Sequence, residues 1–191
     1  MSKVVVFMNL TLDGVMQAPA RPDEDTRGGF EHGGWAMPYA TMEAAEESKA
    51  YSGALLLGRR TYEDFYTVWP NRTDNPYTAV LNNTQKYVAS TTLSEPLPWI
   101  NSTLLKGDAA EAVARLKEEP GKDLVVLGSG ELAQSLMRAN LIDEYVLLIH
   151  PLVLGSGRRL FPDGGTFAAL RLVDTKTTTT GVVIATYAAT R

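Results

Sequence analysis

Apolar and β-branched residues along this chain fall into short runs, set apart by polar stretches that carry most of the glycines and prolines. Runs at residues 4–10, 54–57, 86–89, 124–127 and 145–154 have the length and largely apolar character of strands buried on both faces. Between them the period lengthens. Residues 41–51 are rich in Ala and Glu, 108–118 open on a capping Asp and stop at Pro120-Gly121, and 131–139 put Leu132, Leu136 and Met137 on one face; each predicts a helix. The last part reads differently. Residues 170–176 and 182–187 are strand-like and are joined by a polar, Thr-rich turn ending at Gly181, which predicts a hairpin. Alternating strands and helices followed by a hairpin predict an α/β chain forming one domain over residues 1–191, its sheet mainly parallel with an antiparallel edge. Residues 17–37 concentrate Pro, Gly, Asp and Arg without a period and predict a long surface loop or lid.

Composition narrows the chemistry. The chain has 191 residues, 45% hydrophobic and 21% charged, enough to build a full core. A formal charge of -4 with no block of Lys or Arg gives no footprint for nucleic acid or an anionic membrane, so neither is an expected partner. Without cysteine there is no disulfide, thiolate catalysis or cysteine-held zinc, and only His32 and His150 remain as imidazole ligands, so no metal site is expected. The chain starts directly on the strand-like Lys3 to Met8, without a basic leader, long apolar core or cleavage site, and is expected to be cytoplasmic.

One stretch invites a functional reading. Leu124-Val125-Val126-Leu127 breaks into Gly128-Ser129-Gly130 and then opens a helix at Glu131-Leu132. Glycines let the backbone approach an oxyanion, and the helix aims free N–H groups and its positive dipole end at the same spot, which makes a phosphate cradle. A glycine turn is equally how any α/β unit changes direction. Gly128 to Ala133 also fits Gly-x-Gly-x-x-Ala, but the match falls late in the chain and leads towards Pro151 and a hairpin, unlike the first βαβ unit of a Rossmann domain.

Three separated pieces carry a resemblance. They are Asn9-Leu10-Thr11-Leu12-Asp13-Gly14-Val15; Leu55-Leu56-Leu57-Gly58-Arg59-Arg60-Thr61-Tyr62-Glu63; and Leu127 to Leu132, followed by Leu141-Ile142-Asp143-Glu144-Tyr145 and Pro151-Leu152-Val153-Leu154-Gly155-Ser156-Gly157. In this order they resemble the dihydrofolate reductase fold, and more particularly the group that includes the reductase domain of riboflavin biosynthesis. The resemblance implies a three-layer α/β fold with helices on both faces of a mainly parallel central sheet and a C-terminal antiparallel hairpin. It implies an NADPH-dependent reductase of a small heterocyclic substrate, similar to 5-amino-6-(5-phosphoribosylamino)uracil reductase, and a homodimer. Dihydrofolate reduction, or NADPH binding in a regulatory role without turnover, are the alternatives.

The resemblance also assigns residues. Gly58, Arg59, Arg60, Thr61, Gly128, Ser129, Gly130, Glu131 and Leu132 are expected to hold the cofactor phosphates. Ser90 and Thr91 fall where the family holds the adenosine end, although hydroxyls there also suit a turn or cap. Paired guanidinium groups at Arg59 and Arg60 favour the 2′-phosphate of NADPH over NADH, the alternative being solvated surface charge. Leu10, Asp13 and Gly14 are expected beside the nicotinamide, with Asp13 as the catalytic candidate that orients substrate or relays a proton, or else as a plain turn residue.

On the substrate side the pattern is kept in part. Gly33-Gly34-Trp35-Ala36-Met37-Pro38 is the nearest counterpart of the Leu-Pro-Trp segment of dihydrofolate reductases, and the Ser-x-Trp-Ile stretch of riboflavin-type reductases is lacking. Trp35 and Tyr39 would stack on a planar ring or pack the lid. Glu43, Glu46 and Glu47 lie on the helix that follows, each either turned inward as a buried carboxyl with a raised pKa or, as most such glutamates are, simply solvated; Glu43 is the substrate candidate. His150, inside an apolar run, reads as a satisfied core residue more than as a base. Gly155 to Arg159 would meet a substrate phosphate or form a dimer contact.

Overall fold

The computed structural model describes residues 1–50 and 53–190. In chain order its regular elements begin with β1 (Val4–Thr11), α1 (Met42–Ala50), β2 (Ala54–Gly58), α2 (Arg59–Val68), α3 (Tyr77–Asn83), β3 (Lys86–Ala89) and β4 (Ser102–Leu105). They continue with α4 (Ala109–Glu118), β5 (Leu124–Leu127), α5 (Gly130–Arg138), β6 (Glu144–His150), β7 (Leu170–Thr177) and β8 (Val183–Ala189). The fold is mixed α/β, with mostly parallel strands and a closing antiparallel hairpin, as the sequence pattern predicts. No helix among the described residues is long and apolar enough to cross a membrane.

Two compact units divide the chain, Met1–Val4 with Gly53–Leu141, and Val5–Ser52 with Ile142–Arg191. In the first, the strands lie in the order β4-β3-β2-β5, each pair parallel. Ala54 to Leu57 and Leu124 to Val126 are buried without alternation, because helices and loops take up both faces of such strands. Asp108 caps α4, its carboxylate accepting the N–H of Glu111 at 2.9 Å. Lys86 is 0% exposed, and its Nζ donates to the carbonyls of Leu81 (2.8 Å) and Thr84 (2.7 Å) while lying 4.5 Å from the centre of the Trp99 ring. Burial lowers the pKa of this ammonium to about 8.

In the second unit β1 runs parallel to β6, and β6-β8-β7 continue antiparallel. The predicted strand at 145–154 ends at His150. Pro151 has no N–H to give a ladder, and Leu152 and Leu154 turn instead onto a small core of Val15, Ala18, Phe30 and Trp35. The predicted helix at 41–51 is α1, and Tyr51 lies outside the described residues. Residues 17–37 hold a short 3-10 turn, Arg27–Gly29, and run into a second, Met37–Tyr39, yet they are not a loose surface loop, since Phe30 and Trp35 are core members. Gln17 fastens this segment. It is 4% exposed, its Nε2 donates to the carbonyls of Asp25 and Arg27, its Oε1 accepts the N–H of Arg158, and its own carbonyl accepts the Trp35 indole N–H at 2.7 Å.

Candidate functional site

In the first unit the two glycine loops come together. β2 and β5 are neighbouring parallel strands, and α2 and α5 follow directly from their carboxyl ends. The Ser129 hydroxyl accepts the N–H of Gly58 at 2.9 Å, and the N–H of Ser129 donates to Thr61 Oγ1 at 3.1 Å, so each loop is tied to the other. Gly128 sits at φ +61, a backbone angle that favours glycine, and a Cβ there would stand 3.2 Å from Thr61 Cγ2, a close approach. Gly58 and Ser129 are the cap positions of α2 and α5, and neither helix has a side-chain cap, in contrast to α4. Two uncapped helix N-termini beside each other at the ends of adjacent parallel strands form a place for an anion. Arg59 pairs with Glu63 one turn on at 3.2 Å, whereas Arg60 is exposed and has no partner among the described residues. The Ser90 hydroxyl accepts the N–H groups of Thr92 and Leu93, the turn alternative for that position. Leu132 is buried, with Ala133 and Leu136, on the inner face of α5.

The second unit holds the remaining candidates. Asp13 Oδ1 accepts the Thr11 hydroxyl and the N–H of Leu154 (3.2 Å), and Oδ2 accepts the N–H of Gly155 (2.8 Å). Arg159 Nε donates to the Asp13 carbonyl at 2.9 Å. The Thr11 hydroxyl first, then the Gly155 and Leu154 N–H groups, against the opposing effect of burial, hold the carboxyl below its ordinary value. Asp13 is therefore an ionised acceptor that fastens the turn after β1 to the segment after β6, and a proton relay through it would have to displace these donors. Gly14 takes φ +78 in the same turn, its N–H bonded to the Thr11 carbonyl, and Leu10 is buried on β1. The Thr11-x-Asp13 spacing is the local signal that marks this turn.

A family model decides the kinship: the RibD C-terminal domain matches residues 2–184. The chain belongs to that family. The uncharacterized Bacillus subtilis protein YyaP is 33% identical over 141 residues, covering 70% of this chain and 72% of its own length. The crystal structure of a candidate riboflavin biosynthesis protein from Shewanella sp. PV-4 matches with a TM-score of 0.73 at 22% identity over 99% of each chain. Dihydrofolate reductase from Enterococcus faecalis, solved in complex with NADP(H), matches with a TM-score of 0.59 at 13% identity, over 99% of this chain and 97% of that one. These two structures share the fold.

In this RibD C-terminal domain the substrate-side candidates lie on α1 and in the segment before it. Glu43 is exposed, the solvated alternative, and its carboxyl is held below the ordinary value, chiefly by its own backbone N–H and then by Thr41. The inward carboxylate of α1 is Glu47, which pairs with Lys176 of β7. A charge partner on a distant strand has no signature in the helix that carries it, so sequence could not single Glu47 out. Trp35 is 7% exposed, with its indole N–H on Gln17 and its ring edge-to-face with His150 at 5.1 Å, the position of a packing residue. Tyr39 meets the same imidazole at 5.7 Å. Gln17, which the sequence reading passed over, is what organises the segment that holds them.

Proposed function

We propose that this RibD C-terminal domain is an NADPH-dependent reductase, working as a single domain and a homodimer, that reduces a C=N or C=O bond of a small pterin-like or pyrimidine-like heterocycle. The observation that carries the proposal is the pair of uncapped helix N-termini joined through Gly58, Thr61 and Ser129. Their N–H groups and dipoles suit a dinucleotide's phosphates, and the glycine at 128 fits a backbone kept clear for close approach. Gly58, Arg59, Arg60, Thr61, Gly128, Ser129, Gly130, Glu131 and Leu132 would form that binding surface, with Ser90 and Thr91 towards the adenosine. Arg60, exposed and unpaired among the described residues, would take the 2′-phosphate through its planar fork. NADPH, when bound, supplies the hydride.

The protein's own part is to bind, orient and exclude water. Leu10 and Gly14 would line the nicotinamide side, and Asp13 would act by holding its turn in place. Trp35 and Glu43 remain the substrate candidates, on the resemblance alone. The test is a titration of the purified chain with NADPH and with NADH, followed by quenching of tryptophan emission. Tighter binding of NADPH is the expected result, and binding of neither ends the reductase reading. Oxidation of NADPH that depends on dihydrofolate would move the substrate to the folates. Binding without turnover of any pterin or aminopyrimidine would leave a cofactor-binding regulatory protein.

A further inference from the structure

His150 is the last residue of β6 and stands in register opposite Thr11, the last residue of β1. It therefore lies at the carboxyl end of a parallel strand pair, the edge on which open α/β sheets bind ligands. Its Nδ1 faces two backbone carbonyls, Leu148 at 3.0 Å and Leu10 at 3.3 Å. A carbonyl only accepts, so Nδ1 carries the hydrogen, and in the neutral ring the lone pair belongs to Nε2. Burial, which here outweighs the two carbonyls, lowers the pKa of the imidazole and keeps it neutral near pH 7.

Nε2 has no partner among the described residues. The ring is 4% exposed, and the rings of Trp35 and Tyr39 stand nearly perpendicular to it at 89° and 84°, so its plane is fixed. The fully buried side-chain polar atoms without a partner among the described residues are Thr78 Oγ1 and Ser102 Oγ. Nε2 is not one of them. Most buried side-chain polar atoms have a partner; this nitrogen keeps an oriented acceptor in reserve at the ligand edge of its strands.

We propose that His150 is a substrate-binding residue whose Nε2 accepts an N–H of the heterocycle reduced by this protein. The inference rests on the reductase reading and adds the polarity of one contact. A lone acceptor selects rings that present an amino or lactam N–H at that point and rejects those that present a carbonyl there.

The experiment is two-bond proton–nitrogen correlation NMR on the uniformly nitrogen-15-labelled full chain. His32 and His150 are the two histidines, so one His32→Gln sample assigns the spectrum. The free protein should show the Nδ1–H tautomer at His150. Adding 5,6-diaminouracil to the NADPH-saturated protein should shift Nε2 of His150. His150→Asn, whose amide can still donate to the Leu148 carbonyl, should lose about tenfold in diaminouracil affinity at unchanged NADPH affinity. A proton on Nε2 in the free protein, an Nε2 resonance that diaminouracil leaves in place with NADPH bound, or equal affinity in the folded Asn variant overturns the proposal. If His150→Asn does not fold, the two wild-type spectra decide alone. Failure of NADPH itself to quench tryptophan emission would instead remove the reductase reading, and this inference with it.

Discussion

Ser129 and Gly58 are 71 positions apart in the chain and are joined by a 2.9 Å hydrogen bond from the Gly58 N–H to the Ser129 hydroxyl. The return bond, Ser129 N–H to Thr61 Oγ1, closes the link between the two helix starts. Thr61→Val keeps the shape of the side chain and removes that acceptor. It should cost about 1 kcal/mol, read from urea unfolding, and weaken NADPH binding by loosening the two termini. A variant as stable as the parent would show that the link contributes nothing.

Arg60 and Arg59 differ in what already engages them. Arg59 has Glu63, while Arg60 has no partner among the described residues. Arg60→Ala should therefore weaken NADPH about tenfold and leave NADH nearly unchanged, as a charge-assisted fork on the 2′-phosphate requires. Equal losses for both cofactors, in the same fluorescence titration, would remove the 2′-phosphate from Arg60.

Lys86 makes stability depend on pH in the alkaline range. The unfolded chain keeps this proton up to the ordinary 10.5, whereas the folded chain gives it up at about 8. Between those values the unfolded state binds more protons, so folding is increasingly favoured as pH rises. Lys86→Met should lack this rise, and the gap between the two denaturant midpoints, measured at about pH 7.5 and about pH 10, should move in favour of the parent protein. Parallel curves would place the proton elsewhere.

Asp13 acts at the acid end with the opposite sign. Its carboxyl is held below the ordinary 3.8 by Thr11, Gly155 and Leu154, so its contribution is complete above that value and is lost as pH falls below it. Asp13→Asn should lower stability at pH 7 by ~1 kcal/mol. The difference from the parent, followed by thermal melts in a pH series, should shrink as pH is taken below 3.8. A deficit that stays constant would mean that the carboxylate's charge is irrelevant.

How far these residues could be read from sequence depends on how local their causes are. Apolar runs were legible where burial on both faces leaves no polar position, as at Leu55 to Leu57 and Val125 to Val126. The Asp108 cap, the two glycine loops and the closing hairpin were legible too, since each is written within a few residues. β4 was not, because Ser102-Thr103 give it a polar start and only Leu104 and Leu105 are buried. α3 escaped as well, being seven residues long with no side-chain cap. The run at 145–154 was read too long because Leu152 and Leu154 are apolar for the sake of Val15, Phe30 and Trp35, not of a sheet. In the candidate site, the residue types at 58–61 and 128–130 pointed to an anion, but the bonds that bring them together span long stretches of chain and are visible only in three dimensions.

Gln17 shows how an irregular stretch can be specified by very little. Its two amide ends are not interchangeable, since the NH₂ end faces two carbonyls and the oxygen faces an N–H. Glutamate at this position, nearly identical in size, would set a negative oxygen against the carbonyls of Asp25 and Arg27, so the smallest change in shape would be among the most disruptive in charge. One amide side chain at the start of this segment thus sets a hydrogen-bond polarity that its middle and the segment after β6 both answer.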